Sequence, residues 1–153
     1  MVKVRLAKNA DVPQVGALYV EAGYGGGIDE NDTVIVATAS EKIVGAVRLC
    51  SEDGVTVLRG MQVSETFQRQ GIGSQLLKAC AGHMDIGQAF CLPYSHLAEF
   101  YGAASFEAVS AEELPDFLAK RLYSYLARGQ DVIAMRRNGL DQAFQPTPSA
   151  RLN

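Results

Sequence analysis

The sequence predicts an α+β domain built around a mixed, mostly antiparallel sheet. Apolar residues recur at strand spacing in some stretches and at helical spacing in others. Three of the strand-like stretches, 33–37, 43–50 and 55–63, follow one another through short turns, as in an antiparallel meander. Helix-like stretches stand before and after this meander.

The elements read in order as follows. Val2, Val4 and Leu6 alternate with Lys3, Arg5 and Ala7, which marks a half-buried strand. Asp11 stands three residues before Gln14, with Pro13 in the first turn, a capping-box arrangement for a helix carrying Val12, Val15, Leu18, Tyr19 and Ala22. Gly23 stops that helix, and Gly25, Gly26 and Gly27 make a mobile loop that serves as a connector or as a lid. Residues 39–42 turn the chain between the first two meander strands, and Glu52, Asp53 and Gly54 turn it before the third. A Gly-rich turn then leads into a helix over 74–84, with Leu76, Leu77, Cys80 and Met84 on one side. A short apolar strand at 88–92, a helix at 95–104 and a strand at 106–109 come next. Leu114, Pro115 and Asp116 open a further helix with the stripe Phe117, Leu118, Leu122, Tyr125 and Leu126, and 131–136 is the last strand.

At 153 residues, with 48% hydrophobic and 20% charged residues and a mean hydropathy of +0.02, the chain has the composition of one soluble globular domain. We place that domain at 1–137 and read 138–153, polar with Pro146 and Pro148, as a flexible tail. No apolar run approaches the roughly 20 residues of a membrane helix, so no membrane partner is expected. A net charge of −3 weighs against a nucleic-acid partner. The first residues lack a signal-peptide core, and the odd set of Cys50, Cys80 and Cys91 has no metal-ligand spacing. Both features point to a reducing, cytoplasmic setting. With His83 and His96 the only histidines, no metal site is expected. A homodimer is the default assembly for a compact soluble domain.

The most informative stretch runs from Val63 to Ser74: it follows a strand, opens a helix, and carries Gln68, Arg69, Gln70, Gly71, Ile72 and Gly73. A helix start offers unpaired N–H groups and a partial positive charge. Glycines there let the backbone take positive φ and approach a ligand. Such a turn can wrap a pyrophosphate, with Arg69 adding charge and Ser74 a hydroxyl. A dinucleotide fingerprint needs a small residue where Leu76 stands and a glycine at the strand end, and a P-loop needs Gly-Lys-Ser/Thr; neither is present.

The pattern Gln68-x-x-Gly71-x-Gly73, after a strand ending Met61-Gln62-Val63, resembles the acyl-coenzyme A loop of the GNAT superfamily of N-acetyltransferases. Leu97-Ala98-Glu99-Phe100-Tyr101, with Phe106 five residues on, is similar to that family's Phe-Tyr helix and the following strand. Two positions depart: Ser105 replaces a frequent Gly, and Tyr94 a frequent Asn that contacts the pantetheine arm. The resemblance implies a twisted, mostly antiparallel central sheet with splayed central strands and helices on both faces. It also implies acetyl-CoA as co-substrate, with no metal, and a small-molecule amine as acceptor, taken by loops at 20–32 and 111–130. Under it, Gln68, Arg69, Gln70, Gly71, Ile72, Gly73 and Ser74 bind the diphosphate. The edge of Met61, Gln62 and Val63 binds pantetheine as an added strand, and a backbone amide near Met61 or Gln62 stabilises the oxyanion.

The resemblance also assigns Tyr101 the role of acid toward the leaving thiolate. A phenol of pKa about 10 can protonate the conjugate base of a thiol near 8.5. The base is poorly marked, with His96 at a helix start chosen ahead of Glu99, Asp29 and Glu30. Cys91 lies on the strand expected beside the thioester, where a covalent route competes with simple burial. Lys120, Arg121 and Arg128 form a solvated face or a seat for an acidic acceptor. Two rival functions are a catalytically inactive acyl-CoA-binding module and a nucleotide-binding regulatory domain.

Overall fold

A computed structural model describes residues 1–139. The predicted tail lies almost wholly beyond them. The chain divides into two compact units, Met1–His83 and the residues from Met84 on.

The first unit contains β1 (Val2–Leu6), α1 (Val12–Glu21), β2 (Thr33–Ala39), β3 (Lys42–Glu52), β4 (Val55–Val63) and α2 (Ile72–Ala81). The four strands lie in chain order, each antiparallel to the next. The tight turns that join them use left-handed backbone, at Ser40 (φ 49°) and Glu41 (φ 68°), then at Asp53 (φ 48°) and Gly54 (φ 81°). That conformation matches the right-handed twist of the flanking strands. The two helices cover opposite faces of the meander. Val15, Leu18 and Tyr19 of α1 pack on Val34, Val36, Ile43 and Ala46, whereas a Cβ on Gly45 would sit 3.1 Å from Leu76 and 3.4 Å from Ile72 of α2. Gly45 therefore lets α2 approach the sheet closely.

The predicted capping box of Asp11 and Gln14 does not form. The Asp11 carboxylate turns back instead, accepting from the Lys8 N–H at 2.7 Å and from both Arg5 Nη atoms at 2.7 and 3.1 Å. Charge-assisted, two-pronged bonds to a guanidinium outcompete a neutral cap. The Arg5 hydrogen bonds, helped by the Lys8 amide, hold the Asp11 carboxyl down at about 2. A carboxyl held below its unfolded value contributes stability above that value, near 3.8, and loses it as pH falls through about 2. Urea midpoints measured from pH 5 to pH 2 should therefore drop more steeply in the wild type than in Asp11→Asn.

The second unit contains β5 (Gln88–Cys91), α3 (Ala98–Gly102), β6 (Glu107–Val109), α4 (Asp116–Ala127) and β7 (Ala134–Asn138). Strand β7 lies between β5 and β6 and is antiparallel to both. The strand predicted at 131–136 is displaced toward the C-terminus. Val132 makes only an isolated bridge to Tyr94, and the regular ladder pairs Gln88 with Asn138 and Cys91 with Met135. Arg137 sustains this polar end of the strand by donating to the carbonyls of Met84 at 2.5 Å and Ala104 at 2.9 Å. The helix predicted at 95–104 divides into a 3-10 turn, Ser95–Leu97, and the five residues of α3. Ser105 takes φ 71° after α3, the left-handed conformation that glycine adopts without strain. The substitution of serine for the usual glycine thus leaves the helix exit in place.

Candidate active site

Between β4 and α2 the chain runs through a 3-10 turn, Glu65–Phe67, and then changes hand. Arg69 (φ 65°) and Gly71 (φ 80°) are both left-handed, and α2 begins at Ile72, two residues before its predicted start. Of the two glycines, only Gly71 takes positive φ; Gly73 lies inside the first helical turn. Ser74 is accordingly the third residue of α2. The first local helical bond runs from the Gln75 N–H to the Gly71 carbonyl at 3.1 Å. Among the described residues, the N–H groups of Arg69, Gln70, Gly71, Ile72, Gly73 and Ser74 have no backbone acceptor. Arg69, Gln70, Gly71 and Ser74 are solvent-exposed, and buried Ile72 anchors the turn. The Gln68 side chain braces the loop by donating to the Val63 carbonyl at 3.0 Å. The structure thus presents a row of donors at a positive helix end, an arrangement suited to a diphosphate.

Next to this row lies an open groove of about 280 Å³, lined by Gln62, Val63, Ser64, Glu65 and Gln68 together with Leu18, Glu21 and Ala22 of α1. The strand that supplies Gln62 and Val63 carries a bulge. Ala46 faces Gln62 and Arg48 faces Arg59, so Gly60 and Met61 together oppose Val47. Gly60 is left-handed (φ 67°). Its carbonyl accepts a buried hydrogen bond from the Tyr19 hydroxyl at 2.8 Å. No side chain fits at position 60, because a Cβ there would overlap the Tyr19 hydroxyl and lie 3.2 Å from Arg48 Nε.

Arg48 is the residue that sequence reasoning missed. It sits in the middle of β3 with 2% of its side chain exposed, paired at 2.8 Å with Asp32, whose side chain is 5% exposed. The guanidinium also donates to the Gly27 carbonyl and to the Tyr24 hydroxyl, the latter at 2.9 Å. Its Cζ lies 5.7 Å from the Tyr19 ring centre and 5.9 Å from that of Tyr24. Its Nε is buried and has no hydrogen-bond partner among the described residues. Asp32 also accepts from the Asp29 N–H at 2.9 Å. The loop after α1, read as mobile, is therefore tied to the sheet at Tyr24, Gly27 and Asp32. Asp29, a candidate base, is engaged in that turn, its carboxylate accepting from the Asn31 N–H at 2.8 Å. The signal that was available is a lone arginine inside an apolar strand, which needs a buried anion.

In the second unit, Tyr101 is buried on α3, with its ring edge-on to Phe100 at 4.9 Å and to Phe106 at 6.1 Å. His96 is exposed on the 3-10 turn, stacked on Tyr94 at 6.0 Å. Glu99 is exposed. Arg121 of α4 lies over Phe117 at 5.5 Å, and Arg128, the residue just after α4, lies over Tyr125 at 5.9 Å, so both cations rest on rings of that helix.

All three cysteines are buried. Burial raises the Cys50 thiol to about 11 and the Cys80 thiol to about 12, and it pushes the Cys91 thiol well above its usual range. A nucleophilic thiol needs the opposite shift, which argues against a covalent route through Cys91. Among the described residues, no group of three or more His, Cys, Asp or Glu side chains is placed to hold a metal ion. None of the described helices is long and apolar enough to cross a membrane.

Residues 30–108, more than half of the chain, match the family profile of the acetyltransferase (GNAT) domain. The chain belongs to the GNAT acetyltransferase family. That family is one of acyltransferases, and the GNAT fold extends past the matched residues. An acyl-CoA N-acyltransferase from Pseudomonas aeruginosa superposes with a TM-score of 0.66 at 19% identity, over 90% of this chain and 99% of the other. Escherichia coli ElaA gives 0.65 at 19% identity, over 90% and 100%. N-acetylglutamate synthase from Neisseria gonorrhoeae, in complex with coenzyme A and N-acetyl-glutamate, gives 0.66 at 20% identity, over 90% of this chain but 35% of its own. The GNAT chain described here thus spans about a third of that synthase. No curated protein sequence matches it significantly. The predicted α+β architecture, with a mostly antiparallel sheet, is the GNAT fold.

Proposed function

We propose that this GNAT chain transfers an acetyl group from acetyl-CoA to the amine of a small-molecule acceptor, by direct attack in a ternary complex. The observation that carries this reading is the row of amides from Arg69 to Ser74, leading into α2, which have no backbone acceptors among the described residues. Gln68, Arg69, Gln70, Gly71, Ile72, Gly73 and Ser74 would hold the diphosphate, the amides donating and Arg69 adding charge. Pantetheine would bind along Met61, Gln62 and Val63, and the adjoining groove, which Gln62 and Val63 line, supports this.

In the reaction, the acceptor amine loses a proton and attacks the thioester carbonyl. An N–H near the β4 bulge stabilises the oxyanion that results. The tetrahedral adduct then collapses, the C–S bond breaks, and Tyr101 protonates the departing thiolate. His96, exposed on its turn, would take the amine proton. The depth of the cysteine thiols favours direct attack over an acyl-cysteine intermediate. The family's bound small molecules and the tethered loop after α1 support a small acceptor. A cytoplasmic setting and a homodimer complete the proposal.

Calorimetry with CoA, ATP and NAD, followed by thiol release from acetyl-CoA with a panel of amines, tests this reading. We expect CoA to bind and at least one amine to drive thiol release. Binding of CoA with no release under any amine would leave an acyl-CoA-binding module. Preference for ATP or NAD would overturn the assignment.

A further inference from the structure

Resting on the reading just given, we propose that Tyr19 is a positioning residue for the transferase reaction: its hydroxyl fixes the peptide between Gly60 and Met61, and with it the direction of the Met61 N–H. The argument starts from the bulge. At a bulge the ladder no longer dictates where each peptide points. The Gly60–Met61 peptide needs another constraint, and the buried hydrogen bond from Tyr19 to the Gly60 carbonyl supplies one, at 2.8 Å.

A trans peptide holds its C=O and N–H antiparallel. Anchoring the Gly60 oxygen on α1 therefore sets the Met61 N–H to point away from α1. A Met61 donor held in advance pays no reorientation cost when charge develops on the acyl oxygen.

The surroundings make this constraint stiff. Tyr19 is 2% exposed and is packed among Val15, Leu18 and the apolar face of the meander. Arg48 lies against its ring, and Tyr24 meets it edge-on at 4.8 Å. Position 60 admits only glycine beside the Tyr19 hydroxyl. Tyrosine on α1 and glycine in β4 thus form one lock, 41 residues apart in the chain.

The test is a double-mutant cycle of Tyr19→Phe and Gly60→Ala, read as kcat, KM and CoA affinity, with thermal melts alongside. Tyr19→Phe keeps the ring and removes only the hydroxyl. We expect kcat to fall about tenfold, with CoA affinity and acceptor KM within about twofold of wild type; removing an oxyanion donor outright costs about 10²–10³. Gly60→Ala should cost at least as much, and the double mutant should lose no more than the worse single mutant, because both break one link. A kcat for Tyr19→Phe within twofold of wild type, or losses that multiply, would overturn the inference. Should Gly60→Ala fail to fold, because its Cβ overlaps the Tyr19 hydroxyl, Tyr19→Phe decides alone: a loss of kcat with CoA affinity and acceptor KM unchanged supports the lock, and wild-type kcat rejects it. Failure of the underlying reading looks different, since wild-type protein would then release no thiol.

Discussion

Arg48→Met will lower the stability of the protein by about 3–5 kcal/mol, the usual cost of removing one partner from a buried ion pair. The side chain it removes is 2% exposed and faces an Asp32 carboxylate that is 5% exposed, so the substitution strands a charge that water barely reaches. Two neutral acceptors, the Gly27 carbonyl and the Tyr24 hydroxyl, lose their donor as well. For a domain of this size, the midpoint of thermal unfolding should drop by roughly 6–20 °C. Arg48→Met combined with Asp32→Leu should recover part of the loss, because an apolar pair no longer carries a stranded charge. Melts of the three proteins at one pH and salt concentration check this. An unshifted midpoint in Arg48→Met would mean that the pair contributes nothing.

Tyr101→Phe will lower kcat by about 10²-fold, the lower end of what a positioned acid supplies. The effect should be confined to turnover. The ring fills a buried site against Phe100 and Phe106, and phenylalanine preserves both edge-on contacts. The residues proposed to hold CoA lie elsewhere in the chain, so CoA affinity should stay within about twofold of wild type. Steady-state kinetics at saturating acetyl-CoA, with calorimetry for CoA, check both halves. Equal kcat in mutant and wild type would remove Tyr101 from the chemistry.

Local patterns carried most of the fold. The bounds of β4 came out as predicted, because two turn signals and an alternating apolar run delimit it. Errors arose where side chains far along the chain decide the outcome. Strand β7 continues to Asn138 because Arg137 finds two carbonyls, and periodicity contains no trace of them. Asp11 abandoned its cap because Arg5, on the neighbouring strand, offered a better partner. The site divides along the same line. The diphosphate loop was legible as a contiguous motif, although the left-handed turn at Arg69 was not, since nothing in an arginine announces φ 65°. The set of Tyr19, Tyr24, Asp32, Arg48 and Gly60 was invisible because four separate elements contribute to it. Only the oddity of an arginine within β3 hinted at it.

The placement of the three thiols has a practical consequence. Mixed disulfides form when a protein thiolate attacks an existing disulfide, such as an oxidised coenzyme or glutathione, so only cysteines that such a reagent can reach are capped. With Cys50 at 4%, Cys80 at 0% and Cys91 at 2% exposure, this chain offers such disulfides no accessible thiol. Thiol–disulfide exchange should therefore leave the folded chain untouched.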